Sequence, residues 1–449
     1  MELVRNLRRL WHHQLFRRLL AVRVAVQSCD GLLQAALASY VLFSTQRQPD
    51  AVSIAIVLAI TLLPFSIVGP FVAVVLDRWS RRQALVVVDL VRVVLCLAVA
   101  GIVIAGQSTV GVGEFVFYGL VLVLMSLNRF VLATLSSALP HTIDADEYLV
   151  ANAVVPTVGP AGTILGAGIG LGGRLLLGPV LPPNLTDGIL FALASVGYLV
   201  SVLLALRIGR TALGPDVEEP TRAKDVAAGL VATLRHLGDR RPAAIGLLTI
   251  AAQRIPYGLV TVATILVYRN HFHPVTEVDA ALGDLSILLL ATAIGFVLAA
   301  VVTPPMARRF GLRGWLIITL VGSAVLQVVP GAIYRQPTLV AAAFALGVFA
   351  QSLKIGVDTL VQAHVDDEHK GRTFIFYDMI FNVTLVLGAV LCALIMPPDG
   401  VSVPVLLGVA GCYLVVAVGF TLITRGIDRA VFDTGLGGQP SPEQAAANS

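Results

Sequence analysis

Residues 401–424 read VSVPVLLGVAGCYLVVAVGFTLIT and contain no Asp, Glu, Lys or Arg before Arg425 ends the run. An α-helix needs about 20 apolar residues to cross the hydrocarbon core of a bilayer. This stretch is long enough, and apolar runs of similar length recur along the chain. The sequence therefore predicts a membrane protein whose chain crosses the bilayer many times as α-helices.

The composition of the 449-residue chain excludes other classes of protein. Hydrophobic residues make up 57% of it and charged residues 13%, and the mean hydropathy is +0.87. Soluble domains carry about 25% charged residues, so the polar surface that a soluble enzyme or a nucleic-acid-binding protein needs is missing. The four cysteines lie in apolar runs without the paired spacing of a zinc or redox site. We therefore expect no enzyme activity, metal site, cofactor or disulfide scaffold.

The spacing of the apolar runs predicts an all-α membrane protein with twelve transmembrane helices in two six-helix halves, 1–209 and 242–425. The polar segment 210–241 is predicted to be a cytoplasmic linker with a short amphipathic helix. The composition of 426–449 predicts a disordered cytoplasmic tail. The predicted spans are 18–44, 52–76, 83–106, 112–139, 150–177, 187–209, 243–268, 282–306, 313–334, 338–361, 373–396 and 401–424.

The distribution of basic residues predicts the orientation of the chain. With the N-terminus inside, 22 of the 31 Lys and Arg residues lie on the cytoplasmic side, and the outer loops hold only Arg47, Arg174, Arg269 and Arg335. Cytoplasmic segments of membrane proteins are enriched in Lys and Arg, so both termini are predicted to be cytoplasmic. We expect a multi-pass protein of the cytoplasmic (inner) membrane whose first hydrophobic segment is retained. The net charge of +4 reflects this topology, and no nucleic-acid partner is expected.

The connection between the second and third spans carries the most specific motif. Residues 73–82 read AVVLDRWSRR and resemble the loop signature Gly-x-x-x-Asp-Arg-x-Gly-Arg-Arg of the major facilitator superfamily. Ala73 and Ser80 stand where that signature has glycine. The residues that match are Asp77, Arg78, Arg81 and Arg82.

Three further segments resemble one branch of that superfamily, the bacterial macrolide-efflux-like drug:proton antiporters. They are Asp89-Leu90-Val91-Arg92, Ala151-Asn152-Ala153 and Asp366-Asp367-Glu368-His369-Lys370-Gly371-Arg372. The resemblance covers essentially the whole chain. It implies two pseudo-symmetric six-helix halves that rock about a site at the midplane of the membrane.

The Asp77 loop is predicted to form a cytoplasmic gate. A carboxylate at the membrane boundary pairs with guanidinium groups or faces a helix N-terminus, and such contacts would hold the inside closed until the halves rock apart. Asp89 and Arg92 lie three apart on one helix face and extend the cluster. Alternatively, the arginines only anchor the loop through the positive-inside bias. The predicted gate comprises Asp77, Arg78, Arg81, Arg82, Asp89 and Arg92.

Five basic residues fall inside the predicted spans, where a charge facing lipid is costly. The resemblance implies that the first, fourth, seventh and tenth spans line a hydrated cavity, and most of these charges lie on them. Asp30, Arg129, Arg254 and Lys354 all lie about 9–12 residues from the cytoplasmic ends of their spans, near mid-membrane at about 1.5 Å per residue. The predicted substrate cavity comprises Arg23, Gln27, Gln34, Asn128, Arg129, Gln253, Arg254, Tyr257, Gln351 and Lys354.

Asp30 is the predicted proton carrier, and Asp358 is a candidate for a second proton site. An intramembrane acid that moves between a dry environment and the neighbourhood of an arginine changes its proton affinity. Alternatively, Asp30 forms a permanent pair with an arginine and only fixes helix packing. Alternatively, Asp358 forms a salt bridge with Lys354, which lies four residues earlier on the same helix face.

These observations favour a secondary active transporter that exports an amphipathic small molecule, driven by proton entry, through alternating access. No phosphate-binding loop of an ATP-driven pump is present. With Asp30 and Asp358 counted against its four basic residues, the predicted cavity has a net charge of +2, which favours an anionic, zwitterionic or neutral substrate. The alternatives are a lipid, lysophospholipid or organic-anion transporter of the same fold, and a non-transporting membrane receptor. The expected partners are the lipid bilayer, the substrate and protons, and the expected state is a monomer.

Overall fold

The structure is a computed structural model that describes residues 11–42, 50–67, 80–106, 112–143, 148–214, 223–274 and 277–433. All regular elements in these ranges are helices. Two residues of the predicted gate, Asp77 and Arg78, lie outside the described residues.

Long helices occupy the described chain up to the polar linker. They are α1 (Gln14–Leu42), α2 (Ala51–Ile67), α3 (Arg81–Ile104), α4 (Val112–Ala138), α5 (Tyr148–Leu177) and α6 (Pro183–Leu206). A 3-10 turn, Leu139–Thr142, follows α4.

The second part of the chain begins with the amphipathic linker helix and continues with further long helices. These are α7 (Ala223–Asp239), α8 (Arg241–Leu266), α9 (Val278–Ala332), α10 (Gln336–His364), α11 (Asp367–Ile395), α12 (Val403–Thr424) and the short α13 (Arg429–Asp433). A π-helical turn, Val267–His271, extends α8.

Nine helices in the described ranges are long and apolar enough to cross a membrane. The longest, α9, has 55 residues but breaks at Gly311, where φ is 74° and ψ is 154°. A residue with a side chain rarely adopts this backbone conformation, whereas glycine adopts it readily. The predicted spans 282–306 and 313–334 therefore correspond to the two parts of α9 on either side of Gly311.

The chain divides into two compact units, which we call the N unit (1–47 and 56–226) and the C unit (48–55 and 227–449). The later boundary falls within α7, inside the segment 210–241 that the sequence predicts as a linker. Leu237 of α7 is buried in a cluster of the C unit with Leu247, Val361 and Tyr377. The end of the linker helix therefore packs on the C unit through Leu237.

Glycines set close helix pairs in the same way in both units. In the N unit, a methyl group at Gly166 of α5 would collide with the carbonyl oxygen of Ser28 in α1. In the C unit, a methyl group at Gly388 of α11 would collide with the carbonyl oxygen of Ile255 in α8. In the same unit, Gly295 of α9 and Gly347 of α10 bring the backbones of those two helices equally close. Small residues allow helix backbones in membranes to approach closely, so both units contain helices in backbone contact.

The C-terminal segment differs from the predicted disordered tail at 426–449. Residues Arg429–Asp433 form α13, and Phe432 is fully buried with its ring 6.1 Å from that of Phe420. Asp433 Oδ1 accepts a hydrogen bond of 2.8 Å from the backbone N–H of Leu312, directly after the break in α9. The buried ring of Phe432 and the hydrogen bond to Asp433 hold residues 429–433 in place. The low hydrophobicity of the segment, on which the prediction of disorder rested, does not reveal these two contacts. Residues 434–449 lie outside the described residues.

Candidate functional site

A buried polar network joins three helices of the N unit. Asp30 of α1, Asp89 and Arg92 of α3, and Tyr198 and Ser201 of α6 form it, and we call these five residues the N network. Asp89 and Arg92 lie three apart, so both side chains leave α3 on one face. That face packs against α1 and α6, which places an acid from α1 and two hydroxyls from α6 around Arg92.

Arg92 is the centre of the N network. Its Nη2 atom contacts Asp30 Oδ1 and donates to the hydroxyl of Tyr198, and its Nη1 atom lies 3.3 Å from Asp89 Oδ1. The guanidinium carbon lies 3.9 Å from the centre of the Tyr198 ring. Tyr198 in turn donates to Asp30 Oδ1 over 2.7 Å, and Ser201 donates to Asp89 Oδ2 over 2.7 Å.

The N network holds more negative than positive charge when it is fully ionised. Arg92 is 0% exposed and faces two carboxylates, both of which are buried. Asp30 Oδ2 has no hydrogen-bond partner among the described residues. A buried net charge is costly, and two carboxylates that share one site retain a proton more readily than one. The arrangement can therefore hold one proton in addition to the guanidinium.

The N network combines residues that the sequence analysis assigned to two different groups. Asp30 was the predicted proton carrier near mid-membrane, whereas Asp89 and Arg92 were predicted in the cytoplasmic gate. The structure brings all three into direct contact. Arg92 lies 11 residues after the first residue of α3, Arg81, or about 16 Å along the helix at 1.5 Å per residue. Counting residues from the predicted cytoplasmic end of the span, as was done for Asp30, places Arg92 at a depth in the membrane similar to that of Asp30.

Arg81 and Arg82, the described arginines of the predicted gate, bind backbone of the N unit. Arg81 Nη1 donates to the carbonyl of Leu213 over 2.9 Å and lies 3.0 Å from Nδ1 of His141. Arg82 Nη2 donates to the carbonyl of Leu206 at 3.4 Å. These contacts tie the start of α3 to the chain segment that leaves α6.

The other N-unit residues of the predicted cavity lie on α1 and α4. Asn128 is buried and its Oδ1 atom has no partner among the described residues, and the same holds for Oε1 of Gln27. Gln27 packs directly against Gly159 of α5. The three remaining residues, which are all half-buried, are Arg23, Gln34 and Arg129.

A second polar cluster lies in the C unit around Arg254 of α8. The guanidinium carbon of Arg254 lies 3.6 Å from the centre of the Phe381 ring and 4.8 Å from that of the Tyr257 ring. Tyr377 of α11 and Tyr413 of α12 are both buried and interact electrostatically with Arg254. With Gln253 beside it on α8, we call these six residues the Arg254 cluster.

Lys354 and Asp358 of α10 form a separate ion pair. Lys354 Nζ lies 2.8 Å from Asp358 Oδ2, as their spacing of four residues predicts, and the side chains are 31% and 27% exposed. Lys354 Nζ also lies 5.3 Å from the centre of the Tyr377 ring. Gln351, one turn earlier, is half-buried. The positive charge of Lys354 is thus already neutralised.

The sequence analysis missed the roles of Tyr198, Ser201 and a third buried group. Arg174, predicted in an outer loop, lies in α5 and is buried 3.1 Å from Asp187 of α6. Ser39 of α1 donates to the same carboxylate over 2.9 Å. Asp187 is the first residue of a predicted span. An acid inside a membrane span indicates that a basic partner lies nearby, and this signal could have identified Arg174.

Sequence comparison identifies the family. A profile of the Major Facilitator Superfamily matches residues 246–444. An uncharacterized MFS-type transporter of Mycobacterium tuberculosis is 33% identical over 414 residues, which cover 91% of each chain, and a transporter of the same description from Mycobacterium bovis matches equally. The chain belongs to the major facilitator superfamily. It is therefore a multi-pass membrane transporter and not an enzyme.

Solved structures of other transporters share the fold. The nucleoside transporter NupG has a TM-score of 0.65 at 15% identity, covering 92% of this chain and 99% of that one. The POT family transporter PepTSo has a TM-score of 0.66 at 12% identity, covering 92% and 98%. A bacterial homologue of the human lysosomal transporter Spinster, in an inward-facing conformation, reaches 0.59 at 14% identity, covering 94% and 98%. At these identities the likeness concerns the fold alone.

Proposed function

We propose that this chain is a proton-coupled secondary transporter that exports an amphipathic small molecule across the cytoplasmic membrane by alternating access. The observation that carries the proposal is the N network, in which two buried carboxylates share one guanidinium. Ionisable groups inside membrane spans are costly, and they characteristically mark ion or proton pathways. The superfamily already makes the chain a transporter, and the excess carboxylate gives that transporter a proton-binding group.

The proton is held while α1, α3 and α6 stay packed together. If the N unit changes its packing during the cycle, water reaches Asp30, and the proton leaves because an ionised carboxylate is then solvated. Arg92 keeps the remaining negative charge paired in both states. Asp358 is a weaker candidate for this role because Lys354 already neutralises it.

The proposed topology has twelve spans with both termini in the cytoplasm. It rests on the bias of basic residues and on the break in α9 at Gly311, which divides one long helix into two spans.

The proposed cytoplasmic gate consists of Asp77, Arg78, Arg81 and Arg82. Its described members, Arg81 and Arg82, bind backbone carbonyl groups at and just after the end of α6.

Export is the proposed direction, and the membrane potential supports it energetically. One elementary charge that moves across 100 mV gains about 2.3 kcal/mol. In a cell whose interior is negative, the entry of one proton releases this free energy, and the outward movement of a monoanion releases the same amount again. The segments around Asp89, Asn152 and Asp366 that resemble drug:proton antiporters support the same direction.

The test is a flux assay in proteoliposomes with an imposed pH gradient and a panel of anionic and neutral aromatic amphipaths. The gradient should drive accumulation of at least one compound, and a protonophore should abolish it. Asp30→Asn should abolish accumulation but keep exchange of labelled for unlabelled compound, which requires binding without proton transfer. The matched control is Asp239→Asn, at an exposed acid of α7.

Two outcomes would reject the proposal. If gradient-driven accumulation survives in Asp30→Asn, the N network does not couple protons. If no compound moves in either direction although the protein binds it, the chain acts as a receptor on a transporter fold. An organic-anion or lipid transporter remains the second candidate, and the buried guanidinium of Arg254 is the observation that favours it.

A further inference from the structure

Arg254 is a buried cation without an acidic partner. Its residue is 5% exposed, and no Asp or Glu among the described residues forms an ion pair with it. Two other arginines that are buried to this extent, Arg92 and Arg174, each face an aspartate. A guanidinium stays charged in proteins, so the Arg254 cluster carries an uncompensated positive charge.

The residues around Arg254 leave part of the N–H edge of its guanidinium available for hydrogen bonding. The rings of Phe381 and Tyr257 lie 3.6 Å and 4.8 Å from the guanidinium carbon, and aromatic faces attract a cation at these distances. The Phe381 ring covers a flat side of the group, and the Tyr257 hydroxyl accepts a hydrogen bond from one of its N–H donors. The remaining N–H donors point outward in the plane of the guanidinium, in the fork geometry that matches a carboxylate, and Nε has no partner in the described part of the chain.

Other polar atoms of the cluster also lack partners. Both amide atoms of Gln253 and the hydroxyls of Tyr377 and Tyr413 are buried and make no hydrogen bond of good geometry to a described residue, although Tyr413 lies beside Gln253 and Tyr377 beside Asp358. Buried polar atoms are nearly always paired with protein, water or a ligand. Polar groups with unused hydrogen-bonding capacity beside an uncompensated cation therefore indicate a place where an exogenous polar group binds.

We propose that the Arg254 cluster is the binding site for the anionic group of the transported molecule, and that the substrate is a monoanion with an aromatic or apolar body. A carboxylate or sulfonate would receive hydrogen bonds from Arg254, with Gln253 and the tyrosines completing its shell. This assignment of a substrate class rests on the proposed transport function. Among the described residues of the Arg254 cluster and the neighbouring Lys354–Asp358 pair, Arg254 alone carries an uncompensated charge, so a single negative charge neutralises the site and a dianion would not.

Binding can be measured on the purified full-length protein in a neutral maltoside detergent, without any gradient. The probes are 2-naphthoate and its neutral isostere 2-naphthamide, titrated calorimetrically. Wild type should bind naphthoate at least tenfold more tightly than naphthamide. Arg254→Gln should weaken naphthoate binding at least tenfold and leave naphthamide unchanged, and Arg254→Lys should retain part of the preference because it keeps charge without the fork.

The matched control is Arg429→Gln, which makes the same chemical change at an exposed residue of α13 and should change naphthoate affinity less than twofold. Thermal melting of each variant shows whether it is folded. If wild type binds no naphthoate, prefers naphthamide, or binds naphthoate equally after Arg254→Gln, the site assignment is wrong. Naphthoate binding that depends on Arg254 without pH-driven flux would support this site and reject proton coupling, so the two proposals fail separately.

Discussion

In the N unit the buried guanidinium of Arg92 contacts two carboxylates. In the C unit that of Arg254 contacts aromatic rings and lies beside polar atoms with unused hydrogen-bonding capacity. The first group has a carboxylate in excess, and the second has a cation in excess. Burial makes each imbalance costly in free energy. Each therefore favours binding of a small ion of the opposite charge, a proton in the N unit and an anion in the C unit.

The sharpest way to break this comparison is to remove each guanidinium in turn. Arg92→Gln leaves two buried carboxylates facing each other, and breaking a buried pair in this way costs about 3–5 kcal/mol. Arg254→Gln removes a charge that has no partner, so it should be neutral or slightly stabilising without ligand. Thermal melting of both variants in detergent measures the difference, with Arg92→Lys expected to fall between wild type and Arg92→Gln.

Equal melting temperatures for Arg92→Gln and Arg254→Gln would show that the two guanidinium groups are equally paired, and the comparison would fail. A folded and stable Arg92→Gln would also show that both carboxylates can be protonated in the resting protein.

The second prediction concerns the excess carboxylate itself. Asp89→Asn leaves Asp30 and Arg92 as a one-to-one pair, so it should lower stability by no more than about 1 kcal/mol, the net worth of an ordinary hydrogen bond. It should nevertheless reduce pH-driven accumulation at least tenfold, because the group that shares the proton is lost. The proteoliposome flux assay and thermal melting measure the two effects on one preparation. A stable variant with full coupling would assign the proton to another residue.

Much of the fold could be predicted from the sequence because membrane helices are encoded locally. A run such as 401–424 satisfies its own backbone hydrogen bonds and needs only apolar side chains. The structure places α12 at Val403–Thr424, within that run. The Lys354–Asp358 pair is local in the same sense, since both residues lie on one face of one helix.

The membership of the N network could not be predicted in this way. Arg92 contacts Asp30 from 62 residues away and Tyr198 from 106 residues away. Which helix faces meet depends on packing between helices, which close contacts such as Gly166 against Ser28 determine. The sequence placed Asp89 and Arg92 on one helix face, but it did not predict that Asp30 contacts Arg92.

The third prediction tests a smaller asymmetry, between two corresponding loops that are predicted to be cytoplasmic. The second loop, around Arg308 and Gly311, lacks the acid that Asp77 supplies in the first, and Asp433 instead caps the helix that begins at Leu312. Asp433→Ala should cost about 0.5–2 kcal/mol, as for other helix caps, whereas Asp433→Asn should retain most of the stability because asparagine also caps well. Similar melting of the alanine and asparagine variants would show that the hydrogen bond contributes nothing.

The smallest expected effect belongs to an exposed ion pair, which shows how much burial matters to the comparison. Arg240 donates to both oxygens of Asp366 over 2.7 Å and 2.9 Å, and the rings of His236 and His369 stack beside them with centroids 4.4 Å apart. The hydrogen bond from Arg240, followed by its charge and those of the histidines, lowers the pKa of Asp366 below its ordinary value of 3.8.

A lowered pKa in the folded state means that the ionised carboxylate stabilises the docked linker helix above the unfolded pKa, and that this contribution is lost as the pH falls through the folded value. Arg240→Gln removes the main cause, so the pKa of Asp366 should rise towards 3.8 and α7 should loosen at a higher pH than in wild type. A spin label at the exposed Val231 of α7 reports this loosening between about pH 2.5 and 6. Because solvent screens an exposed pair, the shift should be small, and coincident transitions in the two proteins would mean that Leu237 packing alone holds the linker.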